Sequence, residues 1–194
     1  MTTRDIRTVA VFCGSNIGAL PDFAEGARAL GRALAEAGIT IVYGGTTRGL
    51  MGIVADAALA SGGRVHGVIT ESLHARGHSH PGLTRHEITA TLRTRQHRMA
   101  DLADAFIALP GGIGTVEELM EVWAMNQLAE IDKPVGLLDS AGFFESFLKF
   151  IDHMVAMRFL PPAHRHSISV DADANALLDK MRNHAPHLDV PKWL

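Results

Sequence analysis

The chain predicts a Rossmann-like α/β fold, a three-layer sandwich with a central parallel sheet and helices on both faces. Short apolar runs that read as buried strands alternate with stretches whose apolar residues recur at helical spacing. Glycine-rich turns follow three of those runs, after Cys13, after Tyr43 and after Leu109. A repeating strand–helix–strand order implies parallel neighbours, because the helix is the crossover a parallel pair requires. With 194 residues, 47% hydrophobic and 20% charged, the chain suits one such domain over 1–194.

Residues 8–13 (TVAVFC) are apolar throughout, so they read as a buried strand that ends at Gly14 and Ser15. Residues 22–37 set Phe23, Ala27, Leu30 and Leu34 on one helical stripe, with Gly38 as the stop. A second strand at 39–43 runs into Gly44-Gly45-Thr46-Thr47-Arg48-Gly49. A helix over 50–60 and a strand over 65–69 follow. Gly77, Pro81 and Gly82 mark 71–85 as a mobile loop. A short strand at 87–91 leads into an arginine-rich helix over 94–103. The strand 105–109, the turn 110–114 and a long helix over 115–128 come next. Strands at 134–138 and 167–170, each followed by a helix (143–157 and 174–182), complete the pattern. No repeat or linker interrupts it.

Composition removes several classes of function. A net charge of −3 leaves no basic excess to neutralise a nucleic-acid backbone. Cys13 is the only cysteine, so no internal disulfide forms and a reducing compartment is expected. Residues 1–7 lack the apolar core of a signal peptide, and no run of about 18 apolar residues occurs, so a cytoplasmic protein is expected. Fourteen of the eighteen basic residues are Arg, and Arg93, Arg95 and Arg98 bunch together, a group able to hold one small anion.

Ligands of open parallel sheets sit beyond the carboxyl ends of the strands, where the three glycine turns fall. The richest is Pro110-Gly111-Gly112-Ile113-Gly114-Thr115-Val116-Glu117-Glu118. It has the makings of a backbone nest at a helix start, suited to a phosphate. Thr115 and Glu118 also have the T-x-x-E spacing of a capping box, so Glu118 has a purely structural reading too. The second turn does not give G-x-G-x-x-G, and no acidic residue ends the strand before it, which argues against a dinucleotide. A P-loop motif is missing as well.

Taken together these motifs resemble the LONELY GUY (LOG) family of cytokinin riboside 5′-monophosphate phosphoribohydrolases, often mislabelled lysine decarboxylases. The resemblance spans roughly 7–160. It rests on Val11-Phe12-Cys13-Gly14-Ser15, Tyr43-Gly44-Gly45 with Gly49-Leu50-Met51-Gly52, and Gly67-Val68-Ile69. Arg95-x-x-x-Met99, Ala103-Asp104-Ala105-Phe106, the PGGxGTxxE run and Asp132–Leu138 continue it in order. It implies a homodimer that cleaves the base–ribose bond of a nucleoside 5′-monophosphate, without metal or cofactor. Arg95 and Glu118 fall on the family's catalytic pair. Substrate contacts fall on Gly14, Ser15, Gly44, Gly45, Thr46 and Gln96, with Gly112, Ile113, Gly114, Thr115, Val116 and Glu117 around the phosphate. The chain departs from the family pattern at Arg93, Gln96, Gly77, Thr46 and Ala124. A non-catalytic nucleotide carrier of the same fold is the alternative, and Gln96 and Gly77 are its support.

Other residues read as structural. His74, His78 and His80 share one loop without zinc-motif spacing and read as solvated side chains. Cys13 reads as a small buried filler. Met120, Trp123 and Met125 fill a core or a dimer seam. None of the four lysines sits in a glycine-rich ligand turn, which argues against pyridoxal phosphate chemistry.

Overall fold

The strands β1 (Thr8–Phe12), β2 (Thr40–Tyr43), β3 (Val65–Thr70), β4 (Arg85–Thr89), β5 (Ala105–Ala108), β6 (Val135–Leu138) and β7 (Ile168–Asp171) form one sheet. Their spatial order is β4-β3-β2-β1-β5-β6-β7, and every neighbouring pair runs parallel. The computed structural model describes residues 3–184. α1 (Pro21–Glu36), α2 (Gly49–Ala60) and α8 (Ala174–Arg182) cover one face, and α4 (Leu92–Leu102), α5 (Ile113–Gln127) and α6 (Glu145–Ala156) the other. Two short helices, α3 (Glu71–Ala75) and α7 (Pro162–Arg165), lie in connections.

The strands are apolar without alternation because both faces are covered. In β1, Val9 and Val11 enter the core under α1, α2 and α8, while Ala10 and Phe12 enter the core under α4, α5 and α6. α1 presents Ala27, Leu30, Ala33 and Leu34 to its core, all buried. Gly31 lets it close on α2, since a Cβ there would meet the carbonyl oxygen of Val54 at 2.5 Å.

The strand order reverses direction between β1 and β5. A binding crevice therefore opens between the loops after these two strands. A hydrogen bond from the Gly14 amide to the Pro110 carbonyl, 3.0 Å, ties the two loops together.

Several boundaries differ from the sequence expectation, each for a local reason. The arginine-rich helix starts at Leu92, because Thr91 and Thr94 form a reciprocal capping box ahead of it. β4 lies two residues earlier than expected. Residues 71–85 are not a bare loop: α3 is capped by Thr70, Thr46 and Ser79 form an antiparallel bridge, and the His80 amide donates to Gly45 O at 2.9 Å. The expected helix over 143–157 is α6, which starts two residues later, with a 3-10 turn (Ser140–Gly142) ahead of it. α7 had no counterpart in the sequence pattern.

Candidate active site

The loops after β1, β2 and β5 border a cavity of about 280 Å³ at the switch point, closed on one side by α4. Its lining includes Gly14, Ser15, Gly44, Arg95, Thr115 and Glu118.

α5 supplies the amide-rich wall. Its N-cap is Gly112, in extended conformation and without a side-chain cap. The helix thus begins ahead of the expected Thr115. Thr115 lies inside the first turn and Glu118 inside the second, so no capping box exists here, and the capping reading of Glu118 falls. The first amide engaged within the helix is that of Val116, which donates to Gly112 O at 3.2 Å. The amides of Gly112, Ile113, Gly114 and Thr115 are the ones a helix start leaves open. Gly112 and Gly114 have open space where a Cβ would be. Open amides, a positive helix end and free approach are what an anion needs.

α4 supplies the cation. Thr91 fixes where the helix begins, and Arg95 follows one turn in, its amide bonded to Thr91 O at 3.1 Å. The Arg95 Nη2 donates to Glu118 Oε1 at 2.5 Å, and the two side chains are only 11% and 10% exposed. Gly44 makes room for Met51 and this guanidinium, since a Cβ there would collide with Met51 Cε and stand 3.2 Å from Nη1. The Arg95 Nε is buried and carries no hydrogen bond.

Burial pushes the Glu118 carboxyl above the ordinary Glu range, and the nearby Glu117 and Glu121 push the same way; Arg95 opposes them without cancelling the effect. Cys13, on the cavity floor, has its thiol raised by burial and then by the Glu118 charge. It stays protonated and is no nucleophile.

The structure thus brings together Gly14, Ser15, Gly44, Arg95, Gly112, Ile113, Gly114, Thr115 and Glu118. It does not bring Gly45, Thr46, Gln96, Val116 or Glu117 into that lining. Thr46 is buried one step behind, where its hydroxyl accepts from the Arg48 amide at 3.2 Å. Glu117 points to solvent, and the Gln96 Nε2 is buried without a hydrogen bond. Met51 and Met99 line the cavity although no role for them was legible in the sequence; only their place beside Gly44 and Arg95 could have signalled it. Glu87, in β4, is held by Arg98 at 2.7 Å.

The histidine loop differs from expectation at His80. That ring is buried, with Nε2 2.9 Å from Asp56 Oδ1 and Nδ1 accepting from the Gly82 amide at 3.0 Å. Among the described residues no group of three or more His, Cys, Asp or Glu is placed to hold a metal ion. No helix there is long and apolar enough to cross a membrane. Among the described residues no lysine lines the cavity: Lys133 donates to Ala100 O, and Lys149 and Lys180 pair with Glu145 and Asp171.

Residues 51–181 match the family model described as "Possible lysine decarboxylase". A probable cytokinin riboside 5′-monophosphate phosphoribohydrolase of Oryza sativa is 42% identical over 188 residues, 96% of this chain and 75% of the relative. A cytokinin riboside 5′-monophosphate phosphoribohydrolase of Arabidopsis thaliana is 40% identical, covering 93% and 84%. One of Rhodococcoides fascians is 40% identical, covering 91% and 90%. Among solved structures, the molybdenum cofactor binding protein of Rippkaea orientalis superposes with a TM-score of 0.69 at 20% identity, over 92% of this chain and 97% of that one. The molybdenum cofactor carrier protein of Chlamydomonas reinhardtii gives 0.69 at 22% identity, over 90% and 96%. At that identity these two share the fold alone. Matched along nearly its whole length, with the glycine turns and the Arg95–Glu118 contact meeting over one crevice, the chain belongs to the LOG family.

Proposed function

We propose that the protein hydrolyses the N-glycosidic bond of a nucleoside 5′-monophosphate, releasing the free base and ribose 5-phosphate. The substrate is a cytokinin riboside 5′-monophosphate or an AMP-like nucleotide. The observation that carries this reading is the buried Arg95–Glu118 contact, set in the same cavity as an open helix start.

The amides of Gly112, Ile113, Gly114 and Thr115 take the 5′-phosphate, which leaves Val116 out of the expected set. The ribose then lies against Glu118. As the C1′–N bond breaks, positive charge grows on the sugar, and the carboxylate stabilises it and orients a water molecule. The water adds its hydroxyl to C1′, and its proton ends on the departing base. Arg95 holds Glu118 in place and favours its anionic form against the burial that disfavours it.

Phe159, exposed and just beyond α6, lines an apolar groove between α5 and α6 with Met120, Trp123, Ile151 and Met154. A second copy related by a twofold axis is the partner this face fits.

The enzyme reading and the carrier reading separate on turnover. Incubation with AMP and with an N6-substituted adenosine monophosphate is expected to release free base, while the matching nucleosides are cleaved poorly. A nucleoside offers the helix start no phosphate, and so forgoes charge-assisted hydrogen bonds that together stabilise the complex by several kcal/mol. Tight nucleotide binding without base release would establish the carrier; equal turnover of AMP and adenosine would remove the phosphate assignment.

A further inference from the structure

At the far end of the sheet from the crevice, the amino ends of β1 to β4 border a second cavity of about 290 Å³. Its polar lining is Thr8, Thr40, Arg64, His66, Thr84 and Arg85, and three aliphatic side chains complete the wall. It shares no residue with the catalytic cavity. In a chain of net charge −3, no carboxylate among the described residues lines it.

The two guanidinium groups here have no carboxylate in contact among the described residues. Arg64 donates only to neutral oxygens, Thr40 Oγ1 and Gly38 O, both at 3.2 Å. The Arg85 guanidinium makes no ion pair or hydrogen bond among the described residues, and Glu87 acts on it only through space. The carboxylates nearby are already engaged. Glu87 is held by Arg98 at 2.7 Å and faces His66 Nε2 at 3.5 Å. Asp104 Oδ2 accepts from the amides of Arg7 and Thr8, at 3.0 and 2.8 Å. The hydroxyl of Thr40 accepts from Arg64 Nε, and that of Thr84 accepts from the Val65 amide at 3.0 Å. Each therefore has its own hydrogen left to donate. The His66 Nε2 is buried and has no hydrogen bond. The carboxyl end of α4, at Leu102, brings a partial negative charge to one wall, about half an elementary charge, which two full guanidinium charges outweigh.

We propose that this cavity is a second anion site, taking the phosphoryl group of a phosphomonoester between Arg64 and Arg85 with the Thr40 and Thr84 hydroxyls as further donors. Guanidinium forks match phosphoryl oxygens in geometry as well as charge, and the aliphatic wall accommodates the ester's organic part.

Calorimetric titration with ribose 5-phosphate, with inorganic phosphate as competitor, tests it. The wild-type chain is expected to bind two equivalents of ribose 5-phosphate, one at the α5 helix start and one here. Arg64→Ala with Arg85→Ala is expected to weaken the second at least tenfold while base release stays unchanged, because neither side chain reaches the crevice. Arg85→Gln removes no hydrogen bond from the folded chain, so it serves where the double variant fails to fold. Inorganic phosphate is expected to compete at the site these variants remove. Identical isotherms for wild type and variants, or no competition by phosphate, would overturn the proposal. A failure of the helix-start site alone would leave the variant-sensitive site as the one remaining, so the two assignments fail separately.

Discussion

A carboxylate held nine-tenths out of water is costly, and Glu118 shows that cost in its raised pKa. The sign for stability follows from linkage. The native state holds the proton more tightly than the unfolded chain does, so stability falls as pH rises from the ordinary Glu value to the raised one. Glu118→Gln mimics the protonated acid and keeps an acceptor for Arg95. It is therefore expected to melt no lower than wild type at neutral pH, yet to lose about a hundredfold or more in base release. A variant at near wild-type rate would make the carboxylate structural. Wild-type activity is also expected to fall with decreasing pH at an inflection above the ~4.3 of an exposed Glu, because the active form is the anion. An inflection at or below that value would contradict the raised pKa. Little of this pairing was legible from spacing, since Arg95 and Glu118 are 23 residues apart and on different helices. The family resemblance named the two residues, and only the fold joins them. The capping-box spacing at Thr115 and Glu118 was misleading because Gly112, which has no side chain, caps the helix.

The glycine turns were plain in the sequence, but glycine alone does not tell whether space is kept for a ligand or for the backbone. Gly49 serves the backbone. Its φ is +54°, and a Cβ would collide with the Ser15 backbone, just where the Leu50 amide binds Gly14 O at 3.0 Å. Gly49→Ala is expected to cost about 1–3 kcal/mol of stability and to displace the first glycine turn. Gly114 serves the ligand. A Cβ there meets nothing within 4 Å, and the residue lies in the first turn of α5. Gly114→Ala is expected to raise stability by about 0.4–1 kcal/mol, while the added methyl raises the KM for nucleotide about tenfold. Thermal melts and steady-state kinetics on both variants check this; a Gly114→Ala protein with unchanged KM would move the phosphate elsewhere. The segment 71–85 was harder to read because long-range bonds hold it, His80 to Asp56 and to the second glycine turn. Turn residues are visible in a sequence, whereas partners 24 residues away are not.

The sheet was legible as a whole because burial on both faces writes itself as uninterrupted apolar runs, as in TVAVF and AFIA. The edges were less so: β4 is largely exposed or half-buried, which removed the apolar signal and shifted the expected strand by two residues. The expected seam at Met120, Trp123 and Met125 divides in the same way. Trp123 is buried and its indole N–H donates to Ser167 Oγ at 3.1 Å, so it belongs to the core. Met120 and Trp123 form the floor of the groove whose rim includes Phe159, 76% exposed. Ala124, a departure from the family pattern, lies in this groove rather than in the crevice. An apolar rim of this kind is unfavourable in water and favourable against its own twofold copy. Sedimentation at micromolar concentration is expected to give twice the mass of the chain. Phe159→Glu places two unpaired carboxylates at the seam, one from each copy, and is expected to yield monomers. Because Phe159 is mostly exposed within one chain, the variant's monomer is expected to keep its fold, seen as an unchanged far-ultraviolet circular dichroism spectrum. A wild-type monomer would refute the dimer, and a Phe159→Glu dimer would move the seam to another face of the molecule.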